Sequence, residues 1–229
     1  MKKILSLLAF AAVLAGFTSC DYDSDDDAYV THYVSFDLNE GSTYLVPVGS
    51  TYTDPGYTAT EGTEDVTSKV VVGGDEVDAN AVGIYNVTYS AANKDGFSAS
   101  TSRQVLVYDP EVTTDISGTY SITNTTGSES LFDRYPVKGN SVTLTQLAPG
   151  LYSIDDYWGG LYAVTIGYGS AYACSGYFSL DKDNNIEGIS ASNPWNLPMT
   201  SVTGTYNPET GKVQMDVEID YHLVMTLEK

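Results

Sequence analysis

From Tyr33 onward the hydrophobic positions follow a period of two and never settle into a helical one. Short runs in which apolar and polar residues alternate are separated by clusters of Gly, Asn, Asp and Pro, the pattern of strands joined by turns. The clearest run comes last. Val213, Met215, Val217, Ile219, Tyr221, Leu223, Met225 and Leu227 alternate without a break against mostly polar neighbours, which would bury one face of a long curling strand or of a hairpin. A glycine followed two residues later by an aromatic recurs six times, at Gly83/Tyr85, Gly118/Tyr120, Gly150/Tyr152, Gly160/Tyr162, Gly176/Phe178 and Gly204/Tyr206. The spacing predicts a glycine in turn dihedrals and an aromatic at an inward-facing strand position.

These elements fall into two groups. Strands are expected at 33–38, 44–48, 57–60, 66–72, 83–90 and 99–107, and so many short strands in residues 32–109 predict a small immunoglobulin-like sandwich. Asp109-Pro110-Glu111 is expected to act as a hinge, since proline stops the last strand from continuing. In residues 110–229, strands are expected at 118–123, 141–147, 151–155, 162–167, 175–180, 186–190, 202–206 and across 212–227. The fold class is therefore all-β, a sandwich followed by a second antiparallel domain, barrel or sandwich.

The first 20 residues break the pattern. Lys2 and Lys3 precede an apolar stretch from Ile4 to Gly16, too short to span a bilayer as a helix. Phe17-Thr18-Ser19-Cys20 closes it with small residues directly before a cysteine. Residues 1–19 thus resemble a bacterial lipoprotein signal peptide cut before Cys20, whose thiol then carries the acyl chains that hold the protein to the outer membrane. Five acids follow within Asp21–Asp27, and residues 20–31 read as a lipidated, acidic tether kept extended by self-repulsion. At roughly 3.3 Å per residue it reaches about 36 Å. Acids just behind the lipidated cysteine resemble the surface-export signal of Bacteroidetes lipoproteins, which places the protein facing the cell exterior.

Composition agrees. The chain has 30 acidic and 10 basic residues, a net charge of −20, and processing removes two lysines more. Nucleic acid is excluded as a partner because such a chain repels phosphate. With Cys20 acylated, Cys174 is the one cysteine left and has no disulfide partner. It reads as a small buried hydrophobe.

Two further resemblances carry most of the functional information. Val46-Pro47-Val48-Gly49-Ser50-Thr51-Tyr52-Thr53-Asp54-Pro55-Gly56-Tyr57-Thr58-Ala59 resembles the opening of the bacterial immunoglobulin-like surface domains. Val66-Thr67-Ser68-Lys69-Val70, Gly83-Ile84-Tyr85-Asn86-Val87-Thr88-Tyr89 and Ala92-Asn93-Lys94-Asp95-Gly96-Phe97 continue the pattern in order. The second half, with Ile116-Ser117-Gly118-Thr119-Tyr120, Gly159-Gly160-Leu161-Tyr162 and Val224-Met225-Thr226-Leu227-Glu228-Lys229, resembles the C-terminal domain of a Bacteroides lipoprotein family. Members of that family accompany SusC/SusD-type outer-membrane importers. The resemblance implies importer subunits as partners.

No catalytic set accompanies these features. Gly167-Tyr168-Gly169-Ser170 fails the spacing of a nucleophile elbow and reads as a turn. His32 and His222 lie in different domains without metal-ligand spacing. Asp155 and Asp156 would point to opposite faces of a strand and cannot flank one bond. Asp181-Lys182-Asp183-Asn184-Asn185 lacks the later residues of a calcium loop and reads as a hairpin turn. No catalytic residue, metal ligand or cofactor is assigned. The remaining handle is aromatic. Tyr157, Trp158, Tyr162 and Trp195 lie in glycine- or asparagine-rich segments and are the ligand-binding candidates, for oligosaccharide first and peptide second. The competing account has each tryptophan folding back to plug a barrel end. The sequence thus points to a non-catalytic surface lipoprotein serving a nutrient importer, against a carboxylate-dependent hydrolase and a purely structural spacer or adhesin.

Overall fold

The computed structural model describes residues 30–229. The expected signal peptide (1–19), Cys20 and the expected tether as far as residue 29 lie outside the described residues. Residues 33–229 make one compact unit, which is nearly all β.

In its first domain, β1 (Val34–Leu38), β3 (Tyr57–Glu61) and β4 (Glu64–Asp65) form one sheet. The other runs β2 (Thr43–Pro47), β7 (Ser98–Tyr108), β6 (Gly83–Ala92), β5 (Val71–Gly74), with β2 parallel to β7. Buried Val46, Val87, Tyr89, Val105 and Val107 pack on the inner face of this second sheet, as alternation in an immunoglobulin-like sandwich requires. The strand expected at 66–72 is shorter. Val66 is buried, but the Thr67 N–H donates to Asp65 Oδ1 (2.8 Å) and Thr67 Oγ1 accepts from the Ala59 N–H (2.9 Å). Those side-chain bonds compete with the ladder and coil Thr67–Lys69 into a 3-10 turn before β5 begins.

Arg103 lies inside this sandwich with no solvent exposure. Its Nη1 donates to Asp54 Oδ1 (2.5 Å) and to the Tyr89 hydroxyl (3.0 Å), Nη2 to the carbonyls of Asn39 (2.7 Å) and Gly56 (3.0 Å), and Nε to the Gly41 carbonyl (3.2 Å). All five N–H groups of a guanidinium are thereby used. Tyr89 donates to the other oxygen of Asp54. The Asp54-Pro55-Gly56 turn is thus the anchor of a buried cation.

The second domain is a closed eight-stranded barrel, β8 (Gly118–Thr125), β9 (Ser141–Ala148), β10 (Leu151–Ile154), β11 (Ser175–Leu180), β12 (Asn185–Ser192), β13 (Ser201–Asn207), β14 (Lys212–Ile219) and β15 (Tyr221–Glu228). Each strand pairs antiparallel with the next, and β15 closes on β8. The long alternating run is a hairpin turning at Asp220 (φ 65°). Its register pairs Val213 with Leu227, Met215 with Met225 and Val217 with Leu223, so odd residues of both strands face inward and the alternation passes through the turn intact. Ile122, Leu144, Tyr152, Phe178, Met215 and Leu223 are among the buried residues of the interior, which eight strands leave just wide enough for side chains. Side chains fill the barrel interior.

Of the six glycine–aromatic pairs, Gly118, Gly150 and Gly160 have positive φ. The other three glycines lie at strand positions, and Gly176 shows why. A Cβ there would sit 2.2 Å from the Tyr157 ring.

The expected hinge is a packed joint. The Asp109 N–H donates to the Pro149 carbonyl in the β9–β10 turn (3.3 Å), and Asp109 Oδ1 accepts from the Glu111 N–H (2.9 Å). Leu106 of β7 packs with Ala148 and Leu151 of the barrel, flanked by Val82, Ile84 and Tyr108. Within the sandwich the chain enters at Val34, packed near Ala91 at one end of β6, whereas the joint lies beside Gly83 and Ile84 at the other end.

Candidate functional site: the aromatic end of the barrel

The barrel end that meets the joint is closed by the segment leading into β8, where Tyr120 donates to the Ile116 carbonyl (2.8 Å) and Tyr152 to that of Thr114 (2.8 Å). The opposite end is closed by the long β10–β11 connection, residues 155–174, with α1 (Ser130–Arg134) beside it contributing buried Phe132.

That connection was expected to hold a strand at 162–167. It holds instead a π-helical turn, Leu161–Thr165. Gly159 and Gly160 both take left-handed dihedrals (φ 62° and 79°), open to glycine at little cost. The N–H groups of Val164 and Thr165 then return to the Gly160 carbonyl (2.9 and 2.8 Å), leaving no donors there for a ladder. Val164 is exposed, so the alternation of Tyr162, Val164 and Ile166 does not mark a buried face.

Asp156 organises the start of the connection. It is buried, and its carboxylate accepts from the N–H groups of Trp158 (2.9 Å), Cys174 (3.1 Å) and Gly160 (3.1 Å). Burial raises its pKa, and these three bonds oppose the rise without cancelling it. Asp155 lies outside, accepting from the Thr143 N–H (2.7 Å). The two carboxylates have separate structural tasks. Burial also pushes the Cys174 thiol up to about 12, with Asp156 adding to it, which removes thiolate chemistry at neutral pH.

The four candidate aromatics divide. Tyr157 and Trp158 have no solvent exposure and cannot touch a ligand, which corrects their assignment as binding residues. The Trp158 indole N–H donates to the Ile219 carbonyl (3.0 Å), and the Tyr157 hydroxyl donates to the Tyr177 carbonyl (2.8 Å). Both act as plugs, and Gly176 clears the space for the Tyr157 ring. Tyr162 and Trp195 sit at the surface above them. Tyr162 is half-buried and packs against Trp195 at 4.6 Å between ring centroids, and both rest on Trp158 (5.2 and 5.7 Å).

Two further rings complete the site. Tyr168 stacks on Tyr162 (6.2 Å, 22°) and meets Tyr172 edge-on (5.2 Å), and Tyr172 returns to Trp195 (5.6 Å). The result is a closed circuit of four rings on a tryptophan floor, with Tyr168 57%, Trp195 42% and Tyr172 37% exposed. Asn193 fixes the Trp195 loop, its Oδ1 accepting from the Trp195 and Leu197 N–H groups (3.2 and 3.0 Å). The Tyr162 hydroxyl donates to that of Tyr221 (3.3 Å). Tyr168 and Tyr172 were missed because each lies in a segment read for something else, a failed nucleophile motif and the setting of Cys174. The available signal was aromatic density, since Tyr157, Trp158, Tyr162, Tyr168, Tyr172 and Tyr177 fall within 21 consecutive positions.

Elsewhere the acids serve turns. A hollow of about 510 Å³ between the two domains is lined in part by Asp109, Asp181 and Glu187. Asp109 is bound to the Glu111 N–H, and Asp181 accepts from the N–H groups of Asp183 and Asn185 (both 2.8 Å), forming the β11–β12 hairpin turn. His222 pairs with Asp216 (2.9 Å) on the outer face of the β14–β15 hairpin.

A family model for a C-terminal domain matches residues 109–229, just over half of the chain, and the model of the bacterial surface protein immunoglobulin-like domain matches 36–107. No curated protein matches the chain. Among solved structures, the lipoprotein BT2262 from Bacteroides thetaiotaomicron is 29% identical, with 86% of this chain and 100% of that one covered and a TM-score of 0.43. The M60 catalytic domain with the CBM51-1 and CBM51-2 domains of Clostridium perfringens ZmpB is 18% identical, with 81% of this chain and 14% of that one covered and a TM-score of 0.30. The CBM51-2 and INT domains of the same protein, in a structure with GlcNAc, are 18% identical over 81% of this chain and 30% of that one, with a TM-score of 0.29. At these TM-scores none of the three likenesses bears on the site.

Proposed function

The chain belongs to the family of that C-terminal-domain model, and from this premise we propose that it is a non-catalytic lipoprotein of the outer-membrane surface that captures oligosaccharide for a SusC/SusD-type importer. The carrying observation is the ring circuit of Tyr162, Tyr168, Tyr172 and Trp195. Four aromatic side chains held in mutual contact, three of them more than a third exposed, form a preorganised apolar platform of the kind that stacks on the flat faces of sugars. Preorganisation matters because the rings are already ordered before a ligand arrives, so binding freezes little side-chain motion. The solid barrel interior supports a surface site over an enclosed one.

The importer partnership rests on the resemblance of the second half to importer-associated lipoproteins, and the lipid anchor on Cys20. Glycan-array binding by the full chain, lost in a Tyr168→Ala/Trp195→Ala double variant, is the expected result for capture. Co-purification of importer subunits from native membranes is the expected result for the partnership. Binding to no glycan would return the protein to the spacer reading, and recovery without importer subunits would remove the partnership.

A further inference from the structure

We propose that the outer wall of β9–β12 is a second contact region, one that takes a neutral, hydroxyl-rich carbohydrate chain laid across the strands and extends the platform at the rim. This inference rests on the reading of the rim as a glycan site.

The wall is built by register. Thr145 pairs with Ser153, Ser153 with Tyr177 and Tyr177 with Ser190, so four hydroxyl side chains from four successive strands form one row on the outer face. Beside it runs a second row, in which Asp155 is joined to Thr143 and Ser175 pairs with Ser192. With strands ~4.8 Å apart, each row spans about 14 Å. One strand spacing is close to the width of a pyranose ring. The ladder slips at Leu151/Tyr152 and again at Tyr177/Phe178, and such bulges bend the sheet locally.

Two hollows lie over these rows, of about 690 and 460 Å³, and both are lined by Asp155, Ser175 and Ser192. The smaller one is also lined by Ala171, Ala173 and Pro194, the immediate neighbours of Tyr172 and Trp195. The smaller hollow therefore reaches from the wall to the two loops that carry Tyr172 and Trp195.

The chemistry of the lining selects the occupant. Thr145, Ser153, Ser175, Tyr177, Ser190 and Ser192 make no side-chain hydrogen bond to any described residue. Some hydroxyls elsewhere on the barrel, those of Thr123, Thr165 and Ser179, are bonded within the protein, and others such as those of Thr203 and Thr205 are not; it is the two hollows over the rows that set this face apart. Six unengaged hydroxyls, each able to donate and accept, suit a ligand that is itself a row of hydroxyls. No basic residue lines either hollow, so uronate or sulfate groups would find no counter-charge on a molecule of net charge −20. β10 and β11 are hydrogen-bonded on both sides, so a peptide has no place to add as a strand beside either of them.

The test is calorimetric titration of the full-length protein with cello-, malto-, manno- and xylo-oligosaccharides of two to eight units. The expected result is that affinity for the sugar bound best rises at least about tenfold between the three- and six-unit chains. In a Ser153→Ala/Ser175→Ala/Ser190→Ala variant that gain falls below about twofold, while three-unit affinity and Tm are unchanged. Tyr177→Phe, which keeps the ring and removes one hydroxyl, lowers six-unit affinity several-fold and covers the case of a poorly folding triple variant. A length-dependent gain that survives both variants overturns the wall while leaving the rim standing. Three-unit binding untouched by Tyr168→Ala/Trp195→Ala overturns the rim reading, and an unmodified protein that binds none of the four series overturns both.

Discussion

Arg103 and Asp156 are both buried charges, and they are held by opposite means. Arg103 has a carboxylate partner and three backbone carbonyls, so its removal would strand Asp54 and Tyr89 without their cation. Arg103→Met is expected to destabilise the first domain by about 3–5 kcal/mol in chemical denaturation. Burial alone would raise the pKa of Asp54, but the bonds from Tyr89, the Gly56 N–H and Arg103 outweigh it and hold the carboxyl below its ordinary value. Its contribution is therefore complete above the ordinary carboxylate pKa and is lost as pH falls through the depressed one. Asp156 has no cation, only three N–H donors, and its pKa is raised. Protonation of the folded form persists above the pKa of the unfolded chain, so this group makes stability decline as pH rises through that interval. Asp156→Ala leaves three buried N–H groups unpaired and is expected to cost about 3 kcal/mol or more, read as a lowered Tm with a weaker acid-side pH dependence. Neither role was visible in the sequence, where Asp54 marked a turn and Asp156 was one of a suspect pair, because each depends on contacts made by distant segments.

Among the elements, legibility followed period. Strands with strict alternation were read to within one or two residues, and the β14–β15 run announced itself because parity survives its turn. The 162–167 segment alternates too, yet its backbone is turned by Gly159-Gly160 and satisfied locally, so pattern alone misled. The five-residue α1 is too short to show a helical period. The tryptophans give the sharpest contrast, since both sit in glycine- or asparagine-rich connections but only Trp195 is exposed. Trp158→Ala is expected to cost about 3–5 kcal/mol of stability by emptying the plug, with Tm as the readout. Trp195→Ala should change stability by less than about 1 kcal/mol and act on affinity instead. Gly176→Ala drives a methyl into the Tyr157 ring and is expected to cost about 1–3 kcal/mol. A fully stable Gly176→Ala protein would show that the plug has slack the packing does not indicate.

Across the whole molecule, fold class and the division into a sandwich and a second β domain were legible from strand spacing and turn chemistry. Barrel against sandwich was not, because closure is decided by the pairing of β15 with β8, about 100 positions apart in sequence. The candidate site was half legible because Trp195 reaches Tyr162 and Tyr172 through the pairing of Ser175 with Ser192, which sets the start of the 193–197 loop beside the end of the 155–174 connection. At this scale the anchoring expectation is tested by Cys20→Ala. That variant, if still exported, is expected in the soluble fraction instead of the membrane pellet, since acyl chains would be its hold on the bilayer.

The joint at Leu106, Ala148 and Leu151 lies at the end of the sandwich away from Val34, and the ring circuit lies at the end of the barrel away from the joint. The two domains therefore work as successive lengths of one mast. A packed joint lets neither length fold back on the other, so the aromatic tip is held at the end remote from Val34, where the described chain enters the sandwich.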